Sequence, residues 1–348
     1  MCSAEMNAVF RLLVSRQSFF FQFDFLEVGQ YQNAGANTIA GSTLKQHFPQ
    51  ELTNRPQKMT EPVALIFDIG KTNKKALVFN QQLQVLQAYS EQMETVEDED
   101  GFPTEDLQKL ANWLQQILDH CLQNPAFSVK AVNASAYGAT LVHIDASGQT
   151  IQPGYDYLKP LPDGFSSSFY QRYGGREAVC IATASPPLGM LNTGQHLLWL
   201  KTHRPEKFGQ TAFALHMPQY LVWLLHGQPA TDLTGLGCHT ALWDFEASNY
   251  HHWVKAEGLT GKLPPLQTSG HAETVTRKGH TFKAGTGIHD SSASLAVYQE
   301  AIKNPFVLVS TGTWSITLNP FATDPLTAED MQQDCLNYLS HRGEKVRA

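Results

Sequence analysis

The first turn whose residues could do chemistry follows a short apolar run at 63–67 and spans residues 68–73. Gly70 lets the backbone approach a ligand closely, and consecutive N–H groups in such a turn can form an anion-binding nest. Asp68 offers a carboxylate, which Mg²⁺ binds together with water and phosphate oxygens. The side chains that add a positive charge and hydrogen-bond donors are Lys71, Thr72 and Asn73. An ordinary hairpin turn uses the same residue types, so both interpretations are open for this turn alone.

A second turn of the same kind follows the apolar run at 306–310. Its small polar residues are Thr311, Gly312 and Thr313. It too is compatible with a plain turn, but two such turns in one chain favour phosphate binding. Neither matches the P-loop pattern GxxxxGK[ST], so that class of nucleotide site is not predicted. The strand–turn–strand pattern at 63–79 therefore recurs at 306–318, which suggests two related domains facing each other across a cleft.

A candidate general base lies in the glycine-rich segment 285–292, just before a helix predicted at 291–302. Asp290 stands at the start of that helix, where the helix dipole stabilises an exposed negative charge by ~0.3–1 kcal/mol. Phosphoryl transfer to a hydroxyl needs an ionised carboxylate of this kind as its base. The structural alternative is a helix cap, for which Asp is favoured. His289 could also titrate here, but Asp290 is the stronger candidate for the base.

The elements that position these residues begin with three closely spaced strands, predicted at 63–67, 76–79 and 83–89. Their short connections require antiparallel hairpins, because parallel neighbours need a long crossover. Thr104 is then predicted to cap a helix. The apolar face of that helix repeats at three- and four-residue spacing and consists of Leu107, Leu110, Leu114, Leu118 and Cys121.

A fourth strand is predicted at 129–134. One further helix begins with Thr193 as its cap and ends at Pro205, and another begins with Pro218 and ends at Gly227. This order of elements predicts an α/β protein in which a mixed sheet is flanked by helices.

Composition excludes several other classes of protein. Hydrophobic residues make up 42% of the 348 residues and charged residues 16%, which is typical of a packed globular chain. The net charge of −7 is spread without a basic run, so no nucleic-acid partner is expected. The five cysteines are scattered and form no CxxC pair, which argues against a disulfide framework or a zinc site and favours a cytoplasmic location.

The first 58 residues differ from the rest of the chain. Segment 8–28 is apolar only in patches that charged residues interrupt, so neither a membrane helix nor a signal peptide is predicted. Residues 29–58 are rich in Gln, Asn, Thr, Gly and Pro, which is typical of disorder. Met59 would make a natural start just ahead of the first strand. We expect residues 1–58 to be a disordered or spurious extension with no role in the chemistry.

Three segments together resemble the motifs of the FGGY carbohydrate kinase family. Residues 67–72 (FDIGKT) resemble its first phosphate motif, 285–290 (GTGIHD) its catalytic-aspartate segment, and 310–314 (STGTW) its second phosphate motif. The similarity spans roughly residues 61–345. Segments between these motifs that match in the same order are Leu197–Lys201, Pro205–Phe208, Thr231–Asp232 and Trp253.

This resemblance implies an actin-like, ribonuclease-H-like two-domain fold and transfer of the γ-phosphate of ATP to a sugar hydroxyl with Mg²⁺. It implies that Asp290 is the general base and that Asp68 is a magnesium ligand, usually through water. The implied phosphate contacts are Gly70, Lys71, Thr72, Asn73, Thr311, Gly312 and Thr313. The implied sugar contacts are Ser135, Tyr137, Gly138, Asp156 and Asp290.

The implied substrate is a small sugar, and a homodimer is one option for the assembly. Tyr137 and Gly138 depart from the patterns that are more frequent in the family, so the resemblance does not specify which sugar. We expect a ketose or deoxyketose, as in the rhamnulokinase, fuculokinase and xylulokinase branches.

The expected domains are a sugar-binding domain at 59–303 and part of a nucleotide-binding domain at 304–348. The second segment is shorter than the ~50 residues that an independent core typically needs. Nothing after Leu318 resembles the family's adenosine-binding glycine motif. We therefore expect the second domain to be incomplete and the chain to bind ATP poorly and to be inactive. The alternatives are a non-catalytic sugar-binding remnant and another actin-like phosphotransferase.

Overall fold

The computed structural model describes residues 60–311 and 315–348, so the expected extension 1–58 lies outside the described residues. The strands described are β1 (Glu61–Ile69), β2 (Lys74–Phe79), β3 (Val85–Glu91), β4 (Val96–Glu97), β5 (Pro103–Thr104), β6 (Phe127–Ala136), β7 (Leu141–Asp145), β8 (Thr211–His216), β9 (Thr231–Asp232), β10 (Trp243–Asp244), β11 (Asn249–Tyr250), β12 (Leu266–Gln267), β13 (Glu273–Arg277), β14 (His280–Ala284), β15 (Ile288–His289), β16 (Leu308–Thr311), β17 (Ser315–Leu318), β18 (Asn337–Leu339) and β19 (Lys345–Arg347). The α-helices described are α1 (Leu107–Gln123), α2 (Phe165–Arg172), α3 (Arg176–Thr183), α4 (Thr193–His203), α5 (Pro205–Gln210), α6 (Met217–His226), α7 (Leu233–Leu236), α8 (His252–Ala256), α9 (Asp290–Ala301) and α10 (Ala328–Gln332).

The central sheet has the strand order β13-β14-β6-β1-β2-β3, and β15 also pairs with β6. Strand β1 runs antiparallel to β2, and β2 runs antiparallel to β3, so the predicted hairpins are confirmed. Strands β1, β14 and β15 all run parallel to β6. The sheet is therefore mixed, as the order of elements predicted.

Strand β1 lies in the centre of this sheet, and every residue from Val63 to Phe67 is buried. On one face, Phe67 belongs to the same hydrophobic cluster as Leu114 of α1. On the other face, Ile66 clusters with Val297 of α9. Because helices cover both faces, the strand has a continuous apolar run rather than an alternating pattern.

Helix α1 begins later than predicted. Its N-cap is Asp106, whose carboxylate accepts a hydrogen bond from the backbone N–H of Lys109 at 2.9 Å. The prediction of Thr104 as the cap is wrong, because Thr104 pairs with Val96 in the short β4–β5 hairpin. The predicted apolar face is confirmed, since its members are all buried: Leu107, Leu110, Leu114, Leu118 and Cys121.

The start of α4 also differs from the prediction by one residue. Asn192 is the cap position, and Thr193 is the first helical residue. The hydroxyl of Thr193 lies 3.1 Å from Nε2 of His216, so it pairs with a side chain of β8 rather than capping the helix. Helix α6 ends as predicted at Gly227, which adopts a left-handed conformation. Within the described ranges, no helix combines the length and apolarity that crossing a bilayer requires.

The segment after α9 forms two small hairpins, β16–β17 and β18–β19. Leu308, Leu318, Tyr338 and Val346 share a buried cluster with Leu295 of α9. This segment therefore packs onto the helix that carries the candidate base. A domain boundary at 303/304 stays a prediction.

Candidate functional site

The carboxyl ends of β1, β6 and β15 lie side by side at one edge of the central sheet. Asp68 of β1 is in register with Ser135 of β6, and Ser135 is also in register with Ile288 of β15. Because the three strands are parallel, the residues that follow them emerge at the same edge, where α/β proteins commonly bind ligands. Asp290, which follows β15 directly, therefore lies at the edge that Asp68 occupies.

The charge of Asp290 acts on the carboxyl of Asp68. Burial raises the pKa of Asp68 to about 6, and the negative charge of Asp290 adds to this increase against the opposing charge of Lys75. The Asp290 side chain is 42% exposed, whereas Asp68 is largely covered. The site thus combines an accessible carboxylate with a more enclosed one.

The residues at this edge fit Mg²⁺. Asp68 supplies a carboxylate oxygen, and the nearby negative charge of Asp290 favours a cation. Among the described residues, no group of three or more His, Cys, Asp and Glu side chains is arranged to hold a metal by itself. A single carboxylate completed by water and phosphate oxygens is an arrangement in which Mg²⁺ commonly binds.

The turn after β1 is a tight connection to β2. The N–H of Gly70 donates to the carbonyl oxygen of Asn73 at 2.9 Å. Thr72 and Asn73 are exposed, and Oδ1 of Asn73 accepts a hydrogen bond from Gln92 at 3.1 Å. Thr72 and Asn73 therefore sit at the accessible tip of the hairpin, whereas Gly70 and Lys71 are half-buried.

The side chain of Lys71, also in this turn, contacts a residue that is predicted to bind the sugar. Its ammonium forms an ion pair with the carboxylate of Asp156, which is almost fully buried. The same ammonium lies 5.3 Å from the ring centre of Tyr157, within the range of a cation–π interaction. The structure thus brings a predicted phosphate contact together with a predicted sugar contact.

Lys74 and Glu105 are buried residues of the site that the sequence analysis missed. Nζ of Lys74 donates to Oε1 of Glu105 at 2.9 Å and to the carbonyl oxygens of Gly70 and Lys71 at 3.1 and 2.9 Å. The two bonds to carbonyl oxygens hold the backbone of the turn on its buried side. The sequence did contain a signal for Lys74. Side chains alternate between the two faces of a strand, so Lys74 of β2 must lie on the same face as the buried Ala76.

The predicted sugar segment at the carboxyl end of β6 is enclosed. Ser135 is fully buried, and its hydroxyl makes no hydrogen bond within the described part of the chain. The ring of Tyr137 lies 6.0 Å from that of Tyr157. A Cβ atom on Gly138 would lie 2.7 Å from Cδ2 of His289, so only glycine fits there without displacement. The close packing of Gly138 and His289 joins the sugar segment to the residue before Asp290.

The second predicted phosphate turn is only partly described. Thr311 ends β16, is exposed and pairs with Ser315 across the β16–β17 hairpin. Gly312 and Thr313 lie outside the described residues. Their role as phosphate contacts stays a prediction.

A surface cavity of about 330 Å³ lies elsewhere on the molecule. Its walls come mainly from α2 and α4, and they include Phe169, Tyr173 and Glu257. None of the predicted site residues lines it, so the chemistry assigned above does not involve this cavity.

Comparison with known proteins identifies the family. Residues 63–294, more than half of the chain, match the model of the N-terminal domain of the FGGY family of carbohydrate kinases. An L-fuculokinase from Haemophilus influenzae is 25% identical over 311 residues, covering 79% of this chain and 63% of that protein. A probable L-xylulose kinase from Pasteurella multocida is 24% identical, covering 72% of this chain and 54% of that protein.

Solved structures share the fold. A carbohydrate kinase from Novosphingobium aromaticivorans superposes with a TM-score of 0.73 at 23% identity, covering 83% of this chain and 62% of that one. A xylulose kinase from Lactobacillus acidophilus gives a TM-score of 0.67 at 15% identity, covering 82% and 59%. The chain thus spans less than two thirds of the length of these relatives. The predicted actin-like α/β fold is confirmed, and the chain belongs to the FGGY family of carbohydrate kinases.

Proposed function

We propose that this chain is an ATP-dependent carbohydrate kinase that phosphorylates a hydroxyl of a ketose or deoxyketose. The observation that carries the proposal is the pair of carboxylates at one sheet edge, where the Asp290 side chain is 42% exposed and burial raises the pKa of Asp68. Such a pair allows one carboxylate to act on a substrate while the other serves a cation. Membership in a family of carbohydrate kinases supports the same reaction.

The chemistry assigned to Asp290 is general base catalysis. Its carboxylate accepts the proton of the sugar hydroxyl while that oxygen forms a bond to the γ-phosphorus of ATP. The bond from the γ-phosphorus to the bridging oxygen breaks, and its electron pair leaves on ADP. Asp68 would hold Mg²⁺, which neutralises charge on the phosphate oxygens when it is bound.

Two sets of residues would bind the substrates. The phosphate contacts we assign are Gly70, Lys71, Thr72, Asn73, Thr311, Gly312 and Thr313. The sugar contacts we assign are Ser135, Tyr137, Gly138, Asp156 and Asp290. The Lys71–Asp156 pair supports this division of the site, because it places the edge of the phosphate turn against the sugar segment.

The choice of a ketose or deoxyketose is supported by the relatives, whose names refer to L-fuculokinase and L-xylulose kinase. A cytoplasmic location is supported by the free thiols of Cys121, Cys180, Cys238 and Cys335, since disulfides are common in oxidising compartments. The homodimer stays a prediction.

A second candidate function is sugar binding without phosphoryl transfer. It is favoured by the enclosure of the predicted sugar contacts, since Ser135 and Asp156 are both buried. In that case the site around Asp156 and Tyr157 would recognise a sugar without transferring phosphate to it.

The test combines binding and turnover on the 348-residue chain. Sugar-dependent ADP release would be measured with Mg-ATP and a panel that includes L-fuculose, L-rhamnulose and L-xylulose, and calorimetry would measure sugar binding. Asp290→Asn removes the charge of the candidate base at an almost unchanged side-chain size, so it should abolish turnover and weaken sugar binding much less. Asp163→Asn, an exposed change outside the site, is the matched control. Binding without turnover supports the second candidate, and neither binding nor turnover contradicts both.

A further inference from the structure

The imidazole of His289 lies directly beside the candidate base. Its Nε2 is 3.2 Å from Oδ1 of Asp290. The imidazole is buried, whereas the Asp290 side chain is 42% exposed. His289 ends β15 and Asp290 begins α9, so the pair stands where a rigid strand passes into a helix.

We propose that His289 is the positioning residue for Asp290: it holds Oδ1 of that carboxylate so that Oδ2 faces the sugar hydroxyl as the proton acceptor. The proposal rests on the kinase function assigned above. In this arrangement His289 orients the base, and Oδ2 of Asp290 takes the proton.

The hydrogen bonds of Asp290 converge on one oxygen. Oδ1 accepts from the backbone N–H of Ser291 at 2.7 Å and lies 3.3 Å from the Ser291 hydroxyl, in addition to its contact with His289. Oδ2 takes part in none of these bonds. A carboxylate held through one oxygen has a fixed plane, so its other oxygen keeps a fixed direction.

The proposed hydrogen bond requires one tautomer of His289. An ionised carboxylate can only accept hydrogen bonds, so a hydrogen bond across the 3.2 Å contact between Nε2 and Oδ1 requires that Nε2 carry the hydrogen. In a neutral imidazole the other nitrogen, Nδ1, is then without a hydrogen. Nδ1 is buried and makes no hydrogen bond within the described part of the chain, so nothing observed there favours the opposite tautomer.

Groups from three parts of the chain fix the imidazole in place. Cys238 places its Sγ 3.2 Å from Nε2. Tyr338, in the C-terminal segment, packs edge-on against the ring with the centres 5.5 Å apart. On the remaining side Gly138 approaches so closely that a Cβ atom would overlap the ring. The backbone N–H of His289 also donates to the Thr234 hydroxyl at 3.0 Å. A ring enclosed in this way can hold its partner in one orientation.

The thiol of Cys238 is not an alternative reactive group. It is fully buried, and burial raises its pKa well above the ordinary value, so it stays a neutral thiol. Its sulfur shares the same nitrogen of His289 that faces Asp290, whereas a nucleophile–base–carboxylate triad engages the two ring nitrogens separately. Cys238 therefore supports the ring and does not react.

A pair of variants of the full chain tests the proposal. His289→Gln retains an N–H donor at a similar reach, whereas His289→Met has a similar length and no donor. We expect His289→Met to lower kcat about 100-fold with the KM for sugar and for ATP changed less than about threefold, because misplacement of a reacting group costs about this much. His289→Gln should keep kcat within about tenfold of the parent. Equal kcat values for the two variants would overturn the positioning role while leaving the kinase function intact.

A measurement that needs no turnover decides the same point. Long-range ¹H–¹⁵N spectra of the histidine-labelled chain, with His289→Gln used to assign the signal, should show the hydrogen of His289 on Nε2. A hydrogen on Nδ1 alone would overturn the proposal, because Nε2 could then donate nothing to Asp290. High-resolution crystal structures should show one orientation of the Asp290 carboxylate in the parent and in His289→Gln, and several in His289→Met. If no sugar is turned over, the proposed function fails for this chain. The tautomer of His289 still tests the hydrogen bond between Nε2 and Asp290 in that case.

Discussion

The ammonium of Lys71 forms an ion pair with the carboxylate of Asp156, a residue 85 positions further along the chain. Lys71 belongs to the turn after β1, and Asp156 belongs to the segment after β7, so the pair joins the two groups that we assign to phosphate and to sugar. The Asp156 side chain is only 4% exposed and that of Lys71 22%, so the pair is largely shielded from water. Its effect should therefore exceed that of a surface ion pair.

Lys71→Met should weaken both the fold and sugar binding. The change leaves the Asp156 carboxylate buried without its cation, which typically costs about 3 kcal/mol of unfolding free energy. We expect the Kd for the preferred sugar, measured by calorimetry, to rise at least about tenfold. Lys71→Arg keeps the charge and should lose much less.

The double variant Lys71→Met/Asp156→Asn provides the control. Because the two side chains interact, its loss of stability in urea unfolding should be smaller than the sum of the two single losses. Strict additivity would mean that the pair contributes nothing, and the coupling of the two groups would have to be abandoned.

The elements that form the ligand-binding edge of the central sheet could be predicted from patterns between residues close together in the sequence. The continuous apolar run before Asp68 and the short loops after it predicted a buried strand and two hairpins. The helical pattern after Asp290 placed that residue at a helix start. These signals lie within about ten residues of the positions they describe, so a single sequence is enough to read them.

The partners of these residues could not be predicted in the same way. The Lys71–Asp156 and Lys74–Glu105 pairs join positions that are distant in the sequence, and no periodicity relates them. Tyr338 comes from a segment assigned to a different domain, yet it contacts His289. Such contacts follow from how the elements pack, which the residue types alone leave open.

Asp98→Asn should destabilise the segment that carries Asp156. The Asp98 carboxylate is fully buried and accepts from Nζ of Lys159 at 2.5 Å. Burial alone would raise its pKa, but the bonds from Lys159 and from backbone N–H groups outweigh that effect and hold the pKa below its ordinary value. Loss of this charge leaves a buried ammonium poorly compensated and should cost about 3 kcal/mol in urea unfolding.

Asp100→Asn is the matched comparison, because Asp100 pairs with the same ammonium at 2.7 Å but is 47% exposed. Solvent screens such a pair, so the loss should stay below about 1 kcal/mol. A larger loss for Asp100→Asn than for Asp98→Asn would show that burial does not determine the strength of these pairs.

Glu257 should make stability depend on pH in the acid range. Its side chain is 10% exposed and accepts from Tyr173 and, at 2.9 Å each, from Lys201 and Arg172. Burial opposes the charge, but these donors outweigh it and lower the pKa of Glu257 from 4.5 to about 2. Because the folded-state pKa is lowered, this stabilisation is present above about pH 4.5 and is lost as pH falls towards about 2.

Comparison of the parent with Glu257→Gln isolates this contribution. The difference in unfolding free energy should be roughly 3 kcal/mol at pH 7 and should shrink steadily below pH ~4.5. Urea unfolding of both proteins at a series of pH values measures it. A difference that stayed constant down to pH ~2 would show that Glu257 carries no folded-state charge stabilisation.

Gly287→Ala should be far more damaging than Gly279→Ala. Both glycines have a φ of +80°, so both variants carry the strain of a left-handed alanine, about 1 kcal/mol. At Gly279 a new Cβ meets no atom within 4 Å, whereas at Gly287 it would overlap the backbone carbonyl of Pro218. The N–H of Gly287 also donates to Oδ1 of Asn133 at 2.9 Å, so the backbone cannot move away without losing that bond.

The expected loss for Gly287→Ala is therefore about 3 kcal/mol or more in urea unfolding, against about 1 kcal/mol for Gly279→Ala. Because Gly287 lies three residues before Asp290, any folded Gly287→Ala protein should also show the Asp290 carboxylate displaced, with turnover reduced more than sugar binding. Equal losses of unfolding free energy in the two variants would mean that the backbone of α6 moves at Pro218 without a measurable cost. In that case the packing of this loop against α6 would not be what holds the candidate base in place.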